Sequence, residues 1–232
     1  YEPNLYGYTD TSWDPRYLDP KDEKNFTYES PMEGFNTKCL LPGSEPEAWA
    51  KHLNNNGFKI NHASELYKSR QAIKGKAFIH EPYDIPTEFS DTAFLADRAI
   101  KDLLSEKNSF FNHVSFLKPH PPFHVAEPWF SQVNPDDIDL PAANNSLKEL
   151  SDRHPLLEEL SKKFQNEKNF TEMRFPELTE KDIKNIKSVY FGMCAEVDHN
   201  IGKILNALES SDQINNTMII FTSDHGEMLG EN

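Results

Sequence analysis

Two short stretches hold the residues whose types and spacing allow chemistry. The first is Ser223-Asp224-His225-Gly226-Glu227. Adjacent Asp224 and His225 offer one hard carboxylate oxygen and one imidazole nitrogen to a single divalent cation. Gly226 permits a sharp backbone turn beneath them, and Glu227 is either a third ligand, a hydrogen-bond acceptor or a helix cap. The second stretch is Lys118-Pro119-His120-Pro121-Pro122-Phe123-His124. Its prolines stiffen the backbone, so Lys118 and His120 lose little entropy when held in place. Lys118 can hold an anionic oxygen as a point charge. His120 can give a proton to a leaving oxygen near neutral pH, and His124 follows in the same loop. A metal site beside a cationic, proton-donating loop suits attack on an anionic ester. Blander readings compete: a strand followed by a polar turn, and prolines that simply end a strand. No nucleophile motif is visible. Cys39, in Thr37-Lys38-Cys39-Leu40-Leu41-Pro42-Gly43 with no Arg after it, reads as structural.

The elements around these stretches explain how they would be positioned. Thr217-Met218-Ile219-Ile220-Phe221-Thr222 is apolar and β-branched, the pattern of a buried parallel strand, and it stops at Ser223. In open α/β sheets, ligands bind beyond the carboxyl ends of the strands. A long amphipathic helix precedes this run. Thr179 with Asp182 starts it, Ile183, Ile186, Val189, Met193, Val197, Ile201 and Leu205 mark its stripe, and it ends by Ser210. The Lys118 loop has a similar approach: Ser90 caps a helix running to about Glu106, and a strand over Phe110–Leu117 follows. The repeated helix-then-strand order predicts two strand ends on one sheet edge. A short helix is expected over Glu47–Asn55, with brief strands at Phe58–Ile60 and Lys76–His80. Residues 1–44 read as loop, because Pro, Asn, Asp and Gly interrupt every periodicity. From 127 to about 168 the chain reads as an acidic surface excursion, with a helix over Leu147–Phe164 broken near Pro155.

The totals narrow the function classes. A chain of 232 residues forms one large domain or two small ones. Apolar residues at 37%, charged residues at 27% and a mean hydropathy of −0.72 predict a modest core with long surface excursions. The net charge of −14 argues against a nucleic-acid partner, because phosphate backbones demand a basic face. No apolar run approaches the roughly 20 residues of a membrane helix. Cys39 and Cys194 make no disulfide framework. The chain opens on Tyr1 rather than Met and stops at Asn232, just past the metal-like motif, so a piece of a longer protein is expected and the compartment stays open.

Several motifs together resemble the sulfatases of the alkaline phosphatase superfamily. Phe221-Thr222-Ser223-Asp224-His225-Gly226-Glu227-Met228-Leu229-Gly230 is similar to their second metal-binding motif, and Phe116–Phe123 to their middle motif. Tyr190–Gly202 resembles the helix that precedes the metal strand. Gly7-Tyr8-Thr9-Asp10-Thr11 with Asp14-Pro15-Arg16 is most similar to the branch of phosphonate monoester hydrolases and related arylsulfatases. The resemblance implies an α/β fold with a central mixed, largely parallel sheet flanked by helices. It implies a catalytic domain of which residues 1–44 are the active-site loop region and about 127–178 the surface excursion. It further implies hydrolysis of a small anionic ester, sulfuric, phosphoric or phosphonic, with one divalent metal (Ca, Mg or Mn). Asp224 and His225 would be metal ligands, His120 and Lys118 catalytic, and Tyr8 and Asp10 substrate-binding. Tyr8 and Asp10 stand where classical sulfatases carry a lysine and a histidine, which favours the phosphonate-hydrolase branch. The first Asp pair of metal ligands and the formylglycine signature are not in this chain, so the isolated polypeptide is expected to be inactive. Oligomers of the full-length protein are possible. A catalytically dead anion- or partner-binding relative, and a phosphodiesterase with a Ser or Thr nucleophile, are the competing readings.

Overall fold

In the computed structural model of the chain, residues 3–68, 79–141, 149, 152–159 and 179–230 are described. Three short strands, β1 (Pro3–Gly7), β2 (Asn36–Leu40) and β3 (Phe111–Val114), form a parallel sheet in the order β2-β1-β3. β1 runs in register from Asn4↔Asn36 to Gly7↔Leu40 on one side, with an irregularity between Leu5 and Tyr6. On the other side it runs from Pro3↔Phe111 to Tyr6↔Val114. Pro3 has no N–H to give, and it takes the first strand position, where that loss is tolerated. An amide ladder crosses the sheet: Asn36 Nδ2 donates to Asn4 Oδ1 at 3.2 Å, and Asn4 Nδ2 donates to Asn112 Oδ1 at 2.9 Å. This parallel sheet with its helices is the α/β architecture expected from the sequence.

The loop expected over residues 1–44 is thus corrected, since β1 and β2 lie in it. Each is only five residues long, β1 with Pro, Asn and Gly and β2 with Asn and Lys, residues that strands disfavour in isolation. Neighbours on both sides, not intrinsic preference, hold β1 extended. The predicted strand at Phe110–Leu117 survives as the shorter β3. Phe58–Ile60 carries no ladder. Of the strand expected at 76–80, Ile79 and His80 are not in a strand, and 76–78 lie outside the described residues. The largest correction concerns residues 217–222. They form no strand, and Met218, Ile219, Ile220 and Phe221 are 87%, 49%, 76% and 79% exposed. An apolar β-branched run becomes a buried strand only where a neighbouring strand and a covering layer meet it.

The helices follow the sequence closely. α1 (Glu47–Asn55) stops before Gly57, whose φ of 90° suits a residue without Cβ. α2 (Asp91–Ser105) is capped by the Ser90 hydroxyl, which accepts from Ala93 N at 3.1 Å. α3 (Glu180–Ser210) starts with the expected reciprocal cap. Asp182 N donates to Thr179 Oγ1 at 3.2 Å, and Thr179 N donates to Asp182 Oδ2 at 2.9 Å. Residues 155–159 are helical and exposed; of the rest of the excursion, 142–148, 150–151 and 160–178 lie outside the described residues.

The chain divides into two units. The first comprises Tyr1–Tyr67, Glu88–Lys118 and Val197–Met218. It contains the sheet, α1, α2 and the C-terminal part of α3. Leu5, Tyr6, Trp49, Leu53 and Leu95 are its largest fully buried apolar side chains, and Leu103, Ala207 and Leu208 form a further apolar cluster. The second unit comprises Lys68–Thr87, Pro119–Glu196 and Ile219–Asn232. Its core is Val125, Ile186, Val189 and Met193. Among the described residues, no helix is long and apolar enough to cross a membrane.

Candidate active site

In the first unit the candidate residues sit just beyond the C-terminal ends of β1 and β3. β1 ends at Gly7, with φ at 100°, where a Cβ would run into the Ser115 carbonyl oxygen. Only glycine fits so close an approach at that backbone angle. Half-buried Tyr8 follows, and then exposed Asp10, with φ at 49°. A non-glycine residue in that region is held there by its surroundings, and Asp tolerates it better than most. The Thr9 hydroxyl does much of the holding: it donates to Ser30 O at 2.9 Å, accepts from Met32 N at 2.8 Å and lies 2.6 Å from Thr11 Oγ1. Further on, Arg16 binds the Asp14 carboxylate through Nε at 2.9 and 3.0 Å and keeps that carboxyl below its usual range.

Lys118, expected to present its charge to an anion, is 6% exposed and lies 3.1 Å from Asp91 Oδ1. Asp91 is itself 2% exposed. Its other oxygen accepts from the Tyr67 hydroxyl at 2.8 Å, and the Thr92 N–H donates to Oδ1 at 2.9 Å. Asp91 opens α2 directly after its cap, where the partly positive helix end favours a carboxylate. Sequence reasoning missed Asp91 and Tyr67. An acid just after a serine cap reads as an ordinary helix start, and nothing local marks it as buried.

In the second unit, His120 is exposed and its Nδ1 lies 2.6 Å from Pro121 O. A carbonyl only accepts, so Nδ1 carries the hydrogen and Nε2 is left as the nitrogen that takes up or releases a proton. His124, by contrast, turns inward. It is 7% exposed and stacks on the Tyr83 ring at 4.1 Å with an interplanar angle of 10°.

Asp224 and His225 lie on the surface, with side chains 74% and 65% exposed. His225 N donates to Asp224 Oδ1 at 2.9 Å, and the Ser223 hydroxyl donates to the His225 carbonyl. His225 Nδ1 lies 3.0 Å from Gly226 O, which places a hydrogen on Nδ1 and turns Nε2 toward Asp224. That Nε2 is 3.5 Å from Asp224 Oδ2. A carboxylate oxygen and an imidazole lone pair side by side fit the donor chemistry of a divalent cation. Two donors are fewer than such a cation takes, and among the described residues no three His, Cys, Asp or Glu side chains gather into a fuller set. Glu227 joins no such set. Its backbone N–H meets the half-buried Tyr190 hydroxyl, whose pKa burial pushes up.

One packing arrangement ties the two chemistry-bearing stretches of this unit together. Phe123, from the His120 loop, and Leu229, from the Asp224 segment, both rest on the Val125–Ile186–Val189–Met193 cluster. Tyr190 of α3 meets the Phe123 ring edge-on at 6.3 Å. Gly192 lets α3 come close to the Trp129 turn, since a Cβ there would run into the Trp129 carbonyl. Neither of the two cysteines is activated as a nucleophile. Burial raises the pKa of both the Cys39 and Cys194 thiols, and the neutral thiol is a poor nucleophile.

The sulfatase family model matches residues 1–232. The chain is 30% identical to the multifunctional alkaline phosphatase superfamily protein PehA of Trinickia caryophylli, a match covering all of this chain and 46% of that protein. It is 32% identical to arylsulfatase K of Canis lupus familiaris, over 58% of this chain and 26% of that one. The structure of phosphonate monoester hydrolase from Agrobacterium radiobacter superposes with a TM-score of 0.87 at 34% identity, covering 99% of this chain and 46% of that chain. The chain therefore spans about half the length of the relatives it matches from end to end.

Proposed function

This chain belongs to the sulfatase family, and from that premise we propose that its protein is a metal-dependent hydrolase of small anionic esters, with sulfuric, phosphoric and phosphonic esters as the substrate class. The observation that carries this reading is the shared apolar cluster, on which the His120 loop and the Asp224–His225 segment both rest. Asp224 Oδ2 and His225 Nε2 would hold the cation together with ligands from outside residues 1–232. When bound, such a cation polarises an ester oxygen and stabilises the charge that develops on it. His120, with Nδ1 engaged by the Pro121 carbonyl, would present the proton on Nε2 to the departing oxygen. Tyr8 and Asp10 would contact the substrate from the loop that Gly7 and Thr9 shape. The nucleophile, a formylglycine by family resemblance, would come from outside this segment.

The likeness to phosphonate monoester hydrolase and to arylsulfatase leaves two ester classes in play, and Tyr8 and Asp10 favour the phosphonate branch. The test is turnover of p-nitrophenyl phenylphosphonate and p-nitrophenyl sulfate by the full-length protein, before and after EDTA. Chelator-sensitive turnover, faster on the phosphonate, is expected. Turnover of neither ester would sink the reading; EDTA-resistant turnover would remove the metal from it.

A further inference from the structure

Lys118 is the one cation of the His120 loop, yet its charge is already matched. Lys118 Nζ and Asp91 Oδ1 are 3.1 Å apart, with side chains 4% and 3% exposed, and the Tyr67 hydroxyl holds the second oxygen of Asp91 at 2.8 Å. A buried ammonium–carboxylate pair carries no net charge. To an outside anion it presents a dipole rather than a free cation, and drawing the lysine away would leave a buried carboxylate unpaired. What the pair does have is rigidity. α2 begins at Asp91, so one end of the contact is fixed in a capped helix start. The other end is followed at once by Pro119, whose ring fixes φ between Lys118 and His120.

We propose that Asp91, braced by Tyr67, is a positioning residue that locks Lys118 as an anchor for the backbone carrying His120, and that Lys118 does not contact the substrate. This rests on the hydrolase reading above for its functional half. The pairing itself stands independently of that reading.

The experiment compares Asp91→Asn, Lys118→Met and the double variant in the full-length protein. Two readouts are taken: urea unfolding, and kinetics on p-nitrophenyl and phenyl esters of phenylphosphonate. Each single variant leaves one buried charge or donor unmatched; the double removes both charges. The singles are expected to lose about 10- to 100-fold in kcat with KM nearly unchanged, as for a misplaced proton donor. The loss should be larger on the phenyl ester, whose poorer leaving group depends more on a proton. The double variant is expected to recover most of both stability and kcat. The inference is overturned if Lys118→Met chiefly raises KM while Asp91→Asn is tolerated, or if the double variant is no better than Lys118→Met. A leaving-group-independent loss in the singles overturns the link to His120. If the unmodified protein turns over neither ester, the hydrolase reading falls instead, and recovery of stability in the double variant alone decides whether the pair is an anchor.

Discussion

β1 and the run 217–222 look alike in ambition and differ in outcome. Both lead directly into residues with chemical potential, Tyr8 and Asp10 in one case and Asp224 and His225 in the other. β1 is the poorer strand on paper, with Pro, Asn and Gly among its five residues, yet it is paired on both sides and its Leu5 and Tyr6 are 0% exposed. The run 217–222 is the better strand on paper, yet it is unpaired, and Ile220 and Phe221 are mostly exposed. The consequence reaches the candidate residues. Tyr8 and Asp10 flank a threonine held by contacts reaching Ser30 and Met32. The bonds described for Asp224 and His225 join them to each other and to Ser223 and Gly226. The bonds that shape the first loop reach across the chain, whereas those described for the second join neighbouring residues.

That difference can be broken by experiment. The largest effect is expected at the ends of the two runs. Gly7→Ala places a Cβ against the Ser115 carbonyl at a φ of 100° and should cost about 4 kcal/mol by urea unfolding, from strain and overpacking together. Gly226→Ala, where a Cβ meets open space, should stay within about 0.5 kcal/mol. Equal losses would show that the second run is as constrained as the first. Next come the apolar residues themselves. Leu5→Ala should cost about 3 kcal/mol, because a fully buried side chain leaves a cavity. Ile220→Ala, at a position 76% exposed, should change stability by less than about 0.5 kcal/mol. A large loss at Ile220 would mean that the run is covered in solution. Tyr6→Phe removes the 3.0 Å hydroxyl bond to Asp102 and should cost about 1 kcal/mol, a smaller test of how tightly α2 is held to β1.

The smallest effect is a pH dependence beside β1. Partial desolvation lowers the pKa of His113, an exposed residue of β3, below its ordinary 6.5. The unfolded chain therefore binds a proton that the folded one resists, so this contribution is present above pH 6.5 and is lost as pH falls through the lowered folded value. His80 in the second unit has the same sign, from burial first and then from Lys181. Unfolding midpoints measured from about pH 7 down to about pH 5 should fall, and His113→Gln should flatten part of that slope. An unchanged slope in the variant would assign the dependence to other groups.

Much of the candidate site was readable without coordinates, because its parts are local. Asp224 and His225 are adjacent, His120 stands between prolines, and each imidazole engages a carbonyl of the very next residue. What could not be read was whether each residue faces solvent or the interior. Lys118 and His124 have the same chemical potential on paper as His120, yet one is buried against Asp91 and the other beneath Tyr83. Their partners come from other segments, and no spacing within the loop announces them.

The sequence by itself determined the helices, their caps and the identities of the residues able to do chemistry. A helix closes its hydrogen bonds within four residues and a cap within three, so both are written in neighbouring positions. Tertiary structure decided which apolar runs became strands, which loop cation was neutralised, and that the His120 and Asp224 stretches share one cluster. The physical reason is the same in each case: a strand, a buried ion pair and a packed loop all need partners distant in the chain, and their stability belongs to the meeting rather than to either participant.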